Sequence, residues 1–262
     1  MVRLSRRGVL ITALASAATW RHARAEDGPV IAAAADLKFA LSEVADVYTR
    51  ETGRPLRLSF GASGNLARQI MQGGPFEMFL SADESFVRLL ADRGLTLGDG
   101  DLYAIGRVAI FVRRGSPVRP DAALDDLAAA VSDGRLRRLA IANPDHAPYG
   151  RAAREALVKK GIWEAVQPKL VLGENVAQAA QFAMTGAAEA GLIAHSLALT
   201  PTLVEVGDHA ILAADLHTPL KQRMVLLRRA RDTARHFYDF VQRPAARAIL
   251  ARHGFTLPPA GD

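Results

Sequence analysis

Half of the 262 residues are hydrophobic, none is cysteine, and 33 Lys and Arg stand against 27 Asp and Glu for a formal charge of +6. A chain of this size buries one or two sizeable cores. Without thiols it has no disulfides, no thiolate zinc site and no cysteine for lipid attachment. The positive balance does not mark a nucleic-acid binder. Five arginines sit in residues 1–25 with no acid beside them, and without those five the basic residues number 28 against the same 27 acids. Aromatic residues make up 6% of the chain and do not interleave with basic ones, as a nucleic-acid platform would need.

The five arginines belong to a leader. SRRGVL (5–10) is a twin-arginine pair followed by an apolar run to Trp20, and ARA (23–25) is a small-x-small cleavage site. The run is shorter than the roughly 20 apolar residues that cross a bilayer. The expectation is an export signal peptide over residues 1–25, cut after Ala25, and a mature protein free in the periplasm with no stable membrane anchor.

Strand and helix patterns then alternate, which predicts an α/β fold with mainly parallel sheets. VIAAAA (30–35) reads as a buried strand. Leu37, Leu41, Val44, Ala45 and Tyr48 follow on one helix face, stopped by Gly53. LRLSF (56–60) alternates as a second strand, Leu66 and Ile70 open a helix that ends near Gly73, and EMFLSA (77–82) is a third strand. Phe86, Leu89 and Leu90 are expected on the inner face of a third helix, stopped by Gly94. The middle of the chain reads as a second α/β unit. It has strands at VAIFVRR (108–114), RRLAIAN (137–143) and AGLIA (190–194), and helices opening at PDHAPYGRAAREAL (144–157) and ENVAQAAQFA (174–183). RMVLLRR (223–229) is strand-like, and a helical pair closes the chain. A chain that leaves one unit and returns to it places a cleft between two lobes. The expected bounds are residues 26–106 with 220–262 for lobe 1 and 107–219 for lobe 2.

Three strand-to-helix junctions fall early, at Ala35-Asp36, at Ala62-Ser63-Gly64 and at Ser81-Ala82. Ligands of open α/β sheets bind beyond the carboxyl ends of the strands, and helix starts there present N–H groups with no intrahelical partner. With the helix dipole these make an anion site that needs no Lys or Arg. A hydrogen bond to a charged group contributes roughly 1.5–3 kcal/mol and micromolar binding needs about 8 kcal/mol. Five to seven such donors therefore suffice after the cost of association. Ser63 adds a hydroxyl.

Catalytic signatures are weak. GASG (61–64) lacks the spacing of G-x-S-x-G, and there is no Walker loop, G-x-G-x-x-G or H-E-x-x-H. The seven histidines have no metal-ligand spacing. A Ser63-dependent hydrolase would need a base such as His146 or His195 within reach. A cytoplasmic regulator of the same fold would need no leader.

FGASGNLARQIMQGGPFEMFLSAD, NPDHAPYGRAAREAL, PKLVLGENVAQA and the closing RHGF together resemble the periplasmic molybdate-binding proteins of ABC importers, over about residues 30–255. The resemblance implies a two-lobed type II periplasmic-binding fold that closes over a tetrahedral dianion, molybdate or tungstate, held by neutral donors. It implies a monomer with no cofactor that delivers its ligand to an ABC-transporter permease, and no catalysis. Carried over by position, Ser63 donates its hydroxyl and N–H, while Ala82 and Val176 each donate an N–H. Two positions depart from the family. Ala35 stands where a serine is usual, keeping its N–H, with Asp36 next to it. Ala194, followed by His195, stands where a tyrosine hydroxyl is usual. Losing two hydroxyl donors weakens binding about a hundredfold unless something compensates. His195 is either a replacement donor or a solvated strand end. Asp36 is either a helix cap that points away from the ligand or the mark of a changed ligand, sulfate- or phosphate-like, protonated, or ligated at its metal centre.

Overall fold

The structure is a computed structural model and describes residues 28–258; the expected leader and its cleavage site lie outside the described residues. In chain order the elements are β1 (Val30–Ala34), α1 (Lys38–Thr52), β2 (Arg57–Gly61), α2 (Ser63–Met71), β3 (Phe76–Ser81), α3 (Glu84–Asp92), β4 (Asp101–Gly106) and β5 (Val108–Arg113). Then come α4 (Asp125–Ser132), β6 (Leu139–Ala142), α5 (Pro148–Lys159), α6 (Trp163–Val166), β7 (Leu170–Gly173), α7 (Val176–Thr185) and β8 (Ala190–Ala194). The chain ends with α8 (His195–Ala198), α9 (Pro201–Val206), β9 (Gly207–Ile211), β10 (Leu220–Leu226), α10 (Asp232–Val241) and α11 (Pro244–Arg252). A single 3-10 turn, Ala35–Leu37, separates β1 from α1.

Two five-stranded sheets result, ordered β2-β1-β3-β10-β4 and β7-β6-β8-β5-β9. In each, four strands run one way and one is opposed. β10 is antiparallel to both β3 and β4, and β5 to both β8 and β9. The opposed strands are the ones that carry the chain between sheets, so they enter without a helical crossover and need not be parallel. Each sheet with its helices forms one lobe of a two-lobed α/β molecule.

Strand alternation sorts the first lobe's core. Ile31, Ala33, Met78, Leu80 and Met224 face α1, α10 and α11, where Tyr48 packs edge-on to Phe237 and Phe240 with ring centres 5.0 and 5.2 Å away. Ala32, Phe79 and Val225 face the other way, onto Leu66, Ile70, Val87 and Leu90 of α2 and α3. The expected inner face of α1 is buried at all five positions. That of α3 shifts. Val87 and Leu90 are buried while Phe86 and Leu89 are only partly so, because Phe86 sits at the cleft rim under the Arg151 guanidinium, 5.3 Å from its ring centre. Three strands escape the sequence pattern, β4, β7 and β9; they are only partly buried, so their apolar alternation is faint.

The chain crosses between lobes through Arg107 and again between Ile211 and Leu220. The two crossings are tied: Arg107 donates to the Leu212 carbonyl at 3.1 Å and the Leu212 N–H donates to the Val108 carbonyl at 2.9 Å. The carboxyl ends of β1, β2 and β3 thereby face those of β6 and β7.

Candidate functional site: a closed cleft of neutral donors

Between the facing strand ends lies one small cavity. Its wall holds Ala35 and Asp36 after β1, Ala62 and Ser63 after β2, and Ala82 after β3 on one side. Ala147, Pro148, Tyr149, Asn175 and Val176 form the other side. Ala34, Ala35, Ala62 and Ala82 belong to the same continuous apolar cluster as Ala147 and Val176, so the wall is greasy except where backbone N–H groups and a few side chains break it. Among the described residues, no Lys, Arg or His lines it. The space open to the centre of a water molecule is about 10 Å³, near the minimum that holds one water. Anything larger enters only when the lobes part.

Each helix start supplies its donors for a local reason. Ser63 is the first residue of α2 and 0% exposed; its N–H lacks an intrahelical partner by position. Its Oγ accepts the Ala82 N–H at 3.0 Å, leaving the hydroxyl proton to donate. Asn175 caps α7, its Oδ1 accepting from the N–H groups of Ala177 and Gln178 at 3.0 and 3.2 Å. That leaves the Val176 N–H at the cavity. Pro148 opens α5, where its fixed φ suits the first turn. Tyr149 follows, and side chains of a first turn tilt back toward the helix start, which brings its hydroxyl into the cleft.

Of the residues singled out in the sequence, the structure brings Ala35, Asp36, Ser63, Ala82 and Val176 to this cavity. Ala194 and His195 are not among the residues that line it. Ala194 is fully buried at the end of β8. His195 turns its Nδ1 to the Gly254 carbonyl at 3.3 Å, and burial pushes its pKa below the ordinary imidazole value. The residue that sequence reasoning missed is Tyr149. It lay within the PDHAPYGRAAREAL stretch, and a tyrosine directly after a helix-opening proline was the available signal.

Asp36 does not cap a helix: no side-chain cap bond forms at the turn that contains it. It is 1% exposed. Its Oδ2 accepts from the Tyr149 hydroxyl at 3.0 Å and from the Gln222 amide at 2.6 Å, and Tyr103 donates to Gln222 Oε1 at 2.7 Å. Burial raises the Asp36 pKa to about 6, with the Gln222 and Tyr149 bonds and the backbone N–H groups of Asp36 and Leu37 offsetting only part of the effect. Burial, and then the nearby Asp36 charge, also lifts both tyrosines well above the usual phenol range. The hinge glycine Gly106 is required here, because a Cβ on it would stand 2.4 Å from the Tyr149 hydroxyl and 2.6 Å from Gln222 Nε2.

Direct contacts hold the cleft shut. The Gly64 N–H donates to the His146 carbonyl at 3.0 Å, so one N–H of the Gly61–Gly64 turn serves lobe closure. Asn65 donates to Glu174, Arg151 pairs with Asp83 at 2.5 Å, and Ser196 donates to the Asp36 carbonyl at 2.8 Å.

Two hinged α/β lobes closing on a small cavity edged by helix starts define a solute-binding protein. Residues 29–256 match the family model described as bacterial extracellular solute-binding protein, and the chain belongs to this family. It is 37% identical over 232 residues to the molybdate-binding protein ModA of Rhodobacter capsulatus, covering 87% of this chain and 88% of that one. It is 34% identical over 230 residues to ModA of Azotobacter vinelandii, covering 87% and 89%. The solved structure of the Azotobacter vinelandii periplasmic molybdate-binding protein superposes with a TM-score of 0.79 at 27% identity, covering 88% of this chain and 99% of that chain.

Proposed function

We propose that this protein captures molybdate in the cleft and delivers it to the permease of an ABC importer. The observation that carries this reading is the cavity itself: neutral donors from both lobes converge on it, with no cation on its wall. The relatives' names support molybdate as the ligand, and tungstate, of like shape and charge, is expected to compete. The donors are the Ser63 hydroxyl and N–H and the N–H groups of Ala35, Ala82 and Val176; the Tyr149 hydroxyl, whose one proton goes to Asp36 Oδ2, lines the cavity and holds that carboxyl in place. Ala82 reaches the anion by giving up its bond to Ser63 Oγ. The lobes are residues 26–106 with 220–262 and residues 107–219, and they rotate about the paired crossings.

The role is binding, not catalysis. Among the described residues no base stands within hydrogen-bond reach of Ser63 Oγ, and His146 Nε2 is engaged with the Glu174 carbonyl at 2.9 Å. The twin-arginine leader supports export to the periplasm, and no helix of the described residues is long and apolar enough to cross a membrane.

Calorimetric titration with molybdate, tungstate, sulfate and phosphate tests the reading. Heat with molybdate and tungstate supports it, whereas binding of sulfate or phosphate alone overturns it. Ser63→Ala is expected to raise Kd about 10- to 100-fold, the worth of one hydrogen bond to a charged ligand. A wild-type Kd would remove Ser63 from the site. Arg151→Ala is expected to speed ligand release about two- to fivefold, since the Arg151–Asp83 pair is partly exposed and contributes little. Stopped-flow dissociation reads that change.

A further inference from the structure

Asp36 is the single acid on the cavity wall, and the capture of an anion by neutral donors gives it no task. Its two oxygens differ sharply. Oδ2 accepts two hydrogen bonds, from Tyr149 and Gln222, while Oδ1 is buried with no partner. An unpartnered buried carboxylate oxygen is costly. With Oδ2 occupied by two donors, a proton on the group has one place to sit, Oδ1. There it would turn an unpartnered acceptor into a donor.

We infer that Asp36 meets the oxyanion as the neutral acid, donating its Oδ1–H to the ligand, so that capture takes up one proton from solution. This rests on reading the cavity as an oxyanion site. The surroundings of Asp36 favour the acid. Tyr149 on α5 and Tyr103 on β4 are the titratable groups that face it, both uncharged. Gln222 on β10 and Ser196 on α8 are neutral, and α7, packed against the same turn, has no ionisable residue. On the flanking elements Lys38 is exposed and lies over the Phe39 ring, Arg57 lies at the opposite, exposed end of β2, and His195 turns to Gly254. No cation is therefore in place to hold the carboxylate. Burial already brings the group to half-protonation near pH 6 without a ligand, and an arriving dianion raises it further. A pair of donors held on Oδ2 also fixes the carboxyl plane, so the Oδ1 proton has a defined direction.

The test is calorimetry of the purified protein with molybdate from pH 6 to pH 8. Each pH is repeated in two buffers of different ionisation enthalpy, which counts protons directly. The expected result is uptake of about one proton per ligand at the alkaline end and a Kd that rises about tenfold per pH unit there. Asp36→Asn is expected to bind with a flat pH profile and no proton uptake, because its amide N–H stands in for the acid's O–H. A flat wild-type profile with no proton uptake overturns the inference and leaves the oxyanion reading intact. Absence of binding by molybdate, tungstate, sulfate and phosphate at every pH overturns the reading beneath it. If the variant fails to fold, the wild-type proton count decides.

Discussion

Gly64→Val is expected to weaken molybdate binding at least a hundredfold while leaving each lobe folded. A Cβ on Gly64 would lie 2.7 Å from the His146 carbonyl oxygen and 3.1 Å from the His146 Cα. Both atoms belong to the opposite lobe's backbone, which has no rotamer with which to retreat. The Phe86 ring, also 3.1 Å away, can turn. The clash therefore falls on closure and not on the fold. An anion bound by one lobe alone keeps about half of its donors, and losing two or three charged hydrogen bonds exceeds two decades of affinity. Titration reads the loss. Small-angle scattering is expected to show a variant that stays extended on adding ligand, where the wild type contracts. Wild-type affinity would mean that the liganded lobes stand further apart at Gly64 than they do here.

Asp36→Asn is expected to stabilise the protein above pH 6 by up to about 3 kcal/mol, and to lose that advantage as pH falls toward 4. The folded-state pKa is raised from 3.8 to about 6, so the native state binds the proton more tightly than the unfolded chain. Stability contributed by this group is then complete below about pH 4 and is lost as pH rises to 6. The size follows from about two pKa units at 1.36 kcal/mol each, with the carboxylate's hydrogen bonds already included in the shift. Other carboxylates, such as Glu43, Glu77 and Asp126, have lowered pKa values and act in the opposite sense, but they are common to both proteins and cancel in the difference. Urea unfolding of the pair at pH 4, 6 and 8 checks this. A constant difference would show that Asp36 does not titrate in that range.

Local chemistry was legible in the sequence and long-range pairing was not. The apolar run from Val30 to Ala35 gave a buried strand, and the α1 stripe from Leu37 to Tyr48 gave a helix and its inner face directly. The three early junctions pointed to an anion cleft because small residues at strand ends have a physical use. The facing wall depends on which helix start of the second lobe swings opposite, and no periodicity encodes that. So Tyr149 was passed over, and Ala194 and His195 were put forward because they stand where the resembled family has a tyrosine. Gly64 was legible as small, but not as the residue whose N–H meets His146 across the cleft. Asp36 was recognised as out of place. Its task became readable only when Gln222, far along the chain on β10, came to lie beside it.

The position of β10 between β3 and β4 bears on how the protein is made. A growing chain that has delivered β1 to β4 cannot finish its first sheet, since β4 has no neighbour there until β10 arrives. The second lobe, contiguous from β5 to β9, is complete before that strand is synthesised. The amino-terminal segment must then wait with an open sheet edge, a state prone to mispairing, while the second lobe folds ahead of it. Gln222 lies on that late strand, so the partner that orients Asp36 reaches the cleft only when the last strand is inserted. Assembly of the first lobe and maturation of the cavity are thus one event, and a chain cut short before β10 would have neither.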